Sequence, residues 1–179
     1  MGCFFYFRVM RLSKRAEESY VTMTEMVMPN DTNPLNKLMG GKLMEMIDVA
    51  GAISAQRHCN DIVVTASVDN ISFKESIDLG NVVTIKAQVT RAFRTSMEVY
   101  VQVFSENIPK RTKSRSNEAF LTFVAVNTEG KPIEIPEVLP ESDVEIKLYE
   151  AALRRRELRL ILSGKLTPEN APELKNLFQ

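Results

Sequence analysis

Residues 40–56 are apolar nearly all round a helix, with Leu43, Met44, Met46, Ile47, Val49, Ala50, Ala52, Ile53 and Ala55 spread over its faces. Such a helix is buried on most sides, so the rest of the chain has to wrap it. An acid, Asp48, stands in its middle, three residues beyond Glu45. A lone carboxylate among apolar neighbours is expensive unless it is paired or put to use. Lys42 does not share its stripe, because only positions three or four apart meet on a helix. Gly51 and Ala52 leave room on that side for a close approach by backbone or ligand.

The segments flanking this helix supply the wrapping. Residues 19–28 are rich in Val, Thr and Tyr and stop at Pro29-Asn30-Asp31. Residues 62–73, 82–91, 96–104 and 119–126 follow; the second sets Val83, Ile85, Ala87 and Val89 against Thr84, Lys86, Gln88 and Thr90. Period-two alternation predicts antiparallel strands with one covered face. One strand, one long helix and four more strands give an α+β chain in which a curved antiparallel sheet wraps a central helix. Pro132, Pro136 and Pro140 mark an extended exit, after which residues 141–162 predict a C-terminal surface helix. Its arginines, Arg154, Arg155, Arg156 and Arg159, suit a helix C-terminus, with Gly164 just beyond. Three parts result: an N-terminal extension over 1–18, a domain over 19–140, and a helix and tail over 141–179.

Composition narrows the chemistry. Lys+Arg and Asp+Glu both number 23, so no global field draws in nucleic acid or an anionic membrane. Two cysteines, Cys3 and Cys59, make no disulfide framework and fit a reducing cytoplasm. The only histidine, His58, rules out a His-rich metal site, and no nucleophile-elbow motif accompanies it for a serine triad. Residues 1–9, MGCFFYFRV, are too short to span a bilayer, and Tyr6 stands where a myristoylation signal needs Ser or Thr. Translation from Met10 is the plainer reading of this start, which would leave part of the 1–18 extension untranslated.

Five linked blocks then stand in register: DTNPLNKLMGGKLMEMID, AxxAxRHC, VVTASVDNISFKESIDLGN, RTSMEV and FLTFVAVNTEGKPIEIP. Together they resemble the hot-dog-fold acyl-CoA thioesterases, closest to the cytosolic or brain-type acyl-CoA hydrolases and their small bacterial relatives, over about residues 19–140. The resemblance implies a single hot-dog domain whose active sites form where two copies pair, with an acid on the central helix and an Asn in the preceding loop as the catalytic residues. Carried over, these are Asp48 and Asn33, from opposite partners of a homodimer, itself assembled as a trimer of dimers. It implies hydrolysis of acyl-CoA to fatty acid and CoA in the cytoplasm, with no metal, no cofactor beyond the CoA of the substrate, and no nucleic-acid or membrane partner. Three positions depart from the family pattern: Asn36, where Gly is usual; Met39, often His or Phe; and Pro34. They lie in the loop that shapes the acyl entrance and bear on chain length more than on the reaction.

Thioester hydrolysis needs a water nucleophile, a base and donors for the oxyanion. Asp48 is the candidate base, made a better proton acceptor by apolar surroundings; direct carboxylate attack through an anhydride is the other route. Asn33 can orient water or the carbonyl, or simply build an Asx-turn beside Pro34. Gly41, at the helix start, can offer a backbone N–H to the oxyanion, or serve only as a turn. For the CoA portion the candidates are Arg91, Arg94, Thr95 and Ser96 at the hairpin between strands, with Thr65 and Ser67 lining the pantetheine channel; arginine's forked donors suit phosphate. The basic stretch Lys110, Arg111, Lys113 and Arg115 reads equally well as a CoA contact or a solvated loop. His58, beside Arg57 at the helix end, is structural. A chain that only bound or sensed acyl-CoA would keep the CoA-facing residues and lose the acid.

Overall fold

The computed structural model describes residues 12–69, 71 and 75–176. The reading of residues 1–9 and of Met10 as the start lies outside them. The central helix, α1 (Gly40–Cys59), runs slightly past the expected end and closes on Asn60, whose φ of 57° is left-handed and whose N–H reaches Gln56 O at 2.7 Å. Asparagine tolerates that conformation better than most residues. Before it come β1 (Ser13–Arg15) and β2 (Val21–Met26); after it come β3 (Ile62–Asp69), β4 (Val82–Ala92), β5 (Ser96–Asn107) and β6 (Thr112–Val126). The order in the main sheet is β2-β4-β5-β6-β3, antiparallel throughout, the hot-dog arrangement. A short β7 (Glu137–Leu139) pairs in parallel with β1.

The inner face of the sheet is the core. Val83, Ile85, Ala87 and Val89 of β4, Met97, Val99, Val101 and Val103 of β5, and Ala119, Leu121, Phe123 and Ala125 of β6 are all buried. Against them α1 lays Leu43, Met46, Ile47, Ala50, Gly51, Ser54 and His58, a three-and-four spacing along one face. Gly51 serves this contact: a Cβ there would stand 3.0 Å from the Phe123 ring, so its smallness admits a core aromatic rather than a ligand. The helix is not covered on most sides as its composition predicts. Met44 and Val49 are each 43% exposed, because the chain's own sheet reaches only one face.

Other sequence boundaries move as well. β6 begins at Thr112, so Lys113 and Arg115 lie on a strand and pair with Glu106 and Glu118, each at 3.2 Å. Its first half is polar on both faces and carries no alternation to read. The C-terminal helix, α2 (Asp143–Leu162), starts at a capping box: Ser142 Oγ accepts from Glu145 N at 3.3 Å, and Glu145 Oε2 accepts from Ser142 N at 3.0 Å. Its arginines reach across the outer face of the sheet. Arg155 grips the fully buried Glu98 with two hydrogen bonds of 2.7 and 2.9 Å and stacks 3.9 Å over the Phe120 ring, while Arg159 bonds Asp69. These residues dock the helix, a larger task than balancing its dipole.

Candidate active site

Asp48 is half-buried on α1, and its Oδ1 accepts from Thr65 Oγ1 at 2.7 Å. Thr65 belongs to β3, an edge strand of the sheet. Lys42 is paired with Glu45 instead, at 3.4 Å, so the acid has no salt bridge among the described residues. A hydroxyl donor is what fixes a carboxylate's orientation while leaving its second oxygen available.

β3 carries a bulge at this point. Thr65 pairs with Phe123, but Ser67 pairs with Thr122, and Ala66 is the extra residue. Positions two apart on a regular strand share a face; a bulge breaks that rule. Phe123 faces α1 and Thr122 lies opposite Glu98 on the outer face, so Thr65 points to Asp48 while Ser67 goes to the α2 side. Ser67 Oγ is buried there without a partner among the described residues. Thr65 and Ser67 therefore do not line one channel within the chain.

The loop before α1 is folded on itself. Met39 N donates to Asp31 O at 2.9 Å, Thr32 and Leu38 form a bridge, and Lys37 bonds Asp78. Asn33 Oδ1 accepts from Leu35 N at 2.9 Å and Lys37 N at 3.2 Å. The Asx-turn is present, and it leaves the Nδ2 amide as the end able to donate to another molecule. Asn36 has a φ of 55°. The glycine usual in the resembling family is replaced by a residue that accepts left-handed backbone, so the loop path is kept. Asn33, Lys37, Gly40 and Leu43 line a hollow of about 420 Å³ with Glu75 and Ile77. Asp48 is not part of it. Gly41 is exposed, its missing Cβ faces open space, and no side chain caps the helix start. Its N–H belongs to the first turn, which has no partner within the helix.

At the β4–β5 hairpin, Arg94 O accepts from Ile135 N at 3.1 Å and Thr95 O from Ala125 N at 3.0 Å, so the turn is clamped. Arg94 is exposed, and Thr95 and Ser96 are half-buried. Arg91 is occupied by α2: its guanidinium lies 3.9 Å over the Tyr149 ring and donates to Tyr149 O at 3.0 Å. His58 is fully buried, and its Nε2 donates to Pro136 O at 2.9 Å. Burial holds its pKa below the ordinary 6.5, which favours the neutral ring and suits a structural residue. No cluster of three or more metal-ligating side chains occurs among the described residues, and no described helix is long and apolar enough to cross a membrane.

The Thioesterase superfamily profile matches residues 35–111, which take in Gly41, Asp48, Thr65 and the hairpin. An uncharacterised acyl-CoA thioester hydrolase of Bacillus subtilis is 42% identical over 139 residues, spanning 78% of this chain and 81% of its own. The chain belongs to the thioesterase superfamily. Among solved structures, an apo-hexameric acyl-CoA thioesterase is 41% identical with a TM-score of 0.83, covering 85% of this chain and 97% of that one. An acyl-CoA hydrolase of Staphylococcus aureus, in complex with butyryl coenzyme A, coenzyme A and coenzyme A disulfide, is 36% identical with a TM-score of 0.78, covering 93% and 99%. The fold expected from the sequence and the family agree with these likenesses.

Proposed function

We propose that this protein hydrolyses acyl-CoA thioesters to a free carboxylic acid and CoA, at sites shared between two copies of the chain. The observation that carries the reading is the half-buried Asp48 carboxylate, oriented by Thr65 and left without a cation, on a thioesterase-superfamily scaffold. Asp48 takes a proton from water as its oxygen attacks the thioester carbon. The carbonyl oxygen becomes an oxyanion and accepts from the Gly41 N–H; Asn33 Nδ2 steadies the water or the carbonyl. The C–S bond then breaks, and the departing CoA sulfur recovers the proton from Asp48. These steps draw only on water and the chain's own groups.

The length of the helix supports sharing between copies. Gly41 and Asp48 lie about 10 Å apart along its axis, whereas base and oxyanion donor must both stand about 3 Å from one reacting centre. Gly41 and Asn33 of one copy therefore serve Asp48 of the other. The surface supports this pairing: Met44 and Val49 of α1, and Ile62, Val64 and Val68 of the edge strand β3, are all at least 40% exposed. Apolar side chains on an unpaired edge call for a partner. The hexameric relative is consistent with a trimer of such dimers. A cytoplasmic setting fits the buried free thiol of Cys59.

The test is release of free thiol from a panel of acyl-CoAs of increasing chain length, with Asp48→Asn as control. Turnover lost in the variant at unchanged Tm supports the reading. No turnover by the native chain on any member would move the assignment to a binding protein, and full activity of Asp48→Asn would remove the base.

A further inference from the structure

Arg156 of α2 is used differently from the arginines around it. Arg155 is bound by Glu98, Arg159 by Asp69, and Arg91 by the Tyr149 carbonyl. Arg156 is exposed and has no hydrogen-bond acceptor or carboxylate among the described residues. It is nonetheless held in place, its guanidinium 4.5 Å over the Phe93 ring. Partial burial, and then the charges of Arg159 and Arg91, push its pKa below the ordinary arginine value. A guanidinium ordered on an aromatic ring, close to like charges and lacking a counter-ion, is a place where an anion relieves repulsion.

Its position gives the anion a source. Phe93 opens the clamped β4–β5 turn that carries the exposed Arg94. Met97, just past that turn, pairs with Phe123, which pairs with Thr65. Met97 and Thr65 are thus two strand spacings or about 10 Å apart, and the turn and the Asp48–Thr65 contact are at the same end of the sheet. A phosphorylated group bound at the turn would leave its arm free to reach the thioester site.

We propose that Arg156, which lies beyond the matched thioesterase segment, binds a nucleotide phosphate of the CoA portion of the substrate together with Arg94. The assignment rests on the acyl-CoA reading and identifies a part of the site contributed by the C-terminal helix. Phosphate of a free nucleotide has the same chemistry, so the test separates the two sources.

Arg156→Gln is compared with the native chain on an acyl-CoA and on the matching S-acyl-pantetheine, which lacks the nucleotide. The variant should raise KM for acyl-CoA about tenfold or more, the worth of one charge-assisted contact, with little change in kcat and no change in KM for S-acyl-pantetheine. Arg156→Lys should recover part of the loss. Equal effects on both substrates would mark a structural role and overturn the proposal, as would an unchanged KM for acyl-CoA. Calorimetric loss of ADP binding with an unchanged acyl-CoA KM would overturn it in favour of a free nucleotide. CoA binding, also measured by calorimetry, reads out Arg156 even where the native chain turns over no acyl-CoA.

Discussion

Thr65 Oγ1 donates to Asp48 Oδ1 across 2.7 Å, joining an edge strand to the central helix at the carboxylate proposed to activate water. A hydrogen bond to a charged group contributes about 1.5–3 kcal/mol, so Thr65→Val should lower kcat about tenfold to a hundredfold. Thr65→Ser keeps the hydroxyl and should retain most of the rate. Steady-state kinetics on one acyl-CoA with Tm measured alongside checks both.

Direct water attack and an anhydride opened at the Asp48 carbonyl differ in where oxygen ends. In a single turnover in ¹⁸O water, label should enter the released acid and not the protein. Mass spectrometry of the peptide containing Asp48 is the measurement, and label found there would establish an anhydride.

If the site is shared, two weakened variants can complement each other. Asp48→Asn and Asn33→Ala homodimers should each be impaired. Mixed under conditions of confirmed subunit exchange, they should recover up to about a quarter of native activity, since half the two-fold dimers hold one intact site. No recovery would place Asp48 and Asn33 in sites that do not cross the interface.

Glu98 is fully buried, with Arg155 as its cation and Thr90 Oγ1 donating to it at 2.6 Å. Removing one member of such a pair costs about 3–5 kcal/mol, while replacing both by apolar residues is often close to neutral. Arg155→Met should therefore shift the urea midpoint strongly, and the double variant Glu98→Leu with Arg155→Met should recover much of it.

His58 gives stability a pH dependence. Its folded pKa lies below 6.5, so on acidification the unfolded chain takes up the proton first. This contribution is constant above about pH 6.5 and falls as pH drops from there toward the folded value. His58→Gln should flatten the slope of unfolding free energy against pH over that acidic window, measured by urea titration at a series of pH values.

The helix and the strands are readable from periodicity, because each strand covers its core with every second residue from Val83 to Val89 and from Met97 to Val103. Asp48 announces itself as an acid out of place. What surrounds it does not. The bulge at Ala66 has no glycine or other mark in the sequence, so spacing puts Thr65 and Ser67 on one face and the structure puts them on two. Arg155 and Glu98 are far apart in the chain, and an alternating strand makes Glu98 look solvent-facing until α2 is laid over it. The start of β6 was similarly hidden, since its pairing comes from β5 and not from its own pattern.

The extra residue in β3 also divides responsibility along a single strand. Before it, Val63 and Thr65 pair with Ala125 and Phe123 and share the face of the central helix; after it, Ser67 and Asp69 lie on the outer face, where Asp69 meets the C-terminal helix. Change on one side of Ala66 need not disturb the other. The outer-face contacts of the C-terminal helix can thus be altered while the hydroxyl that meets Asp48 stays where it is.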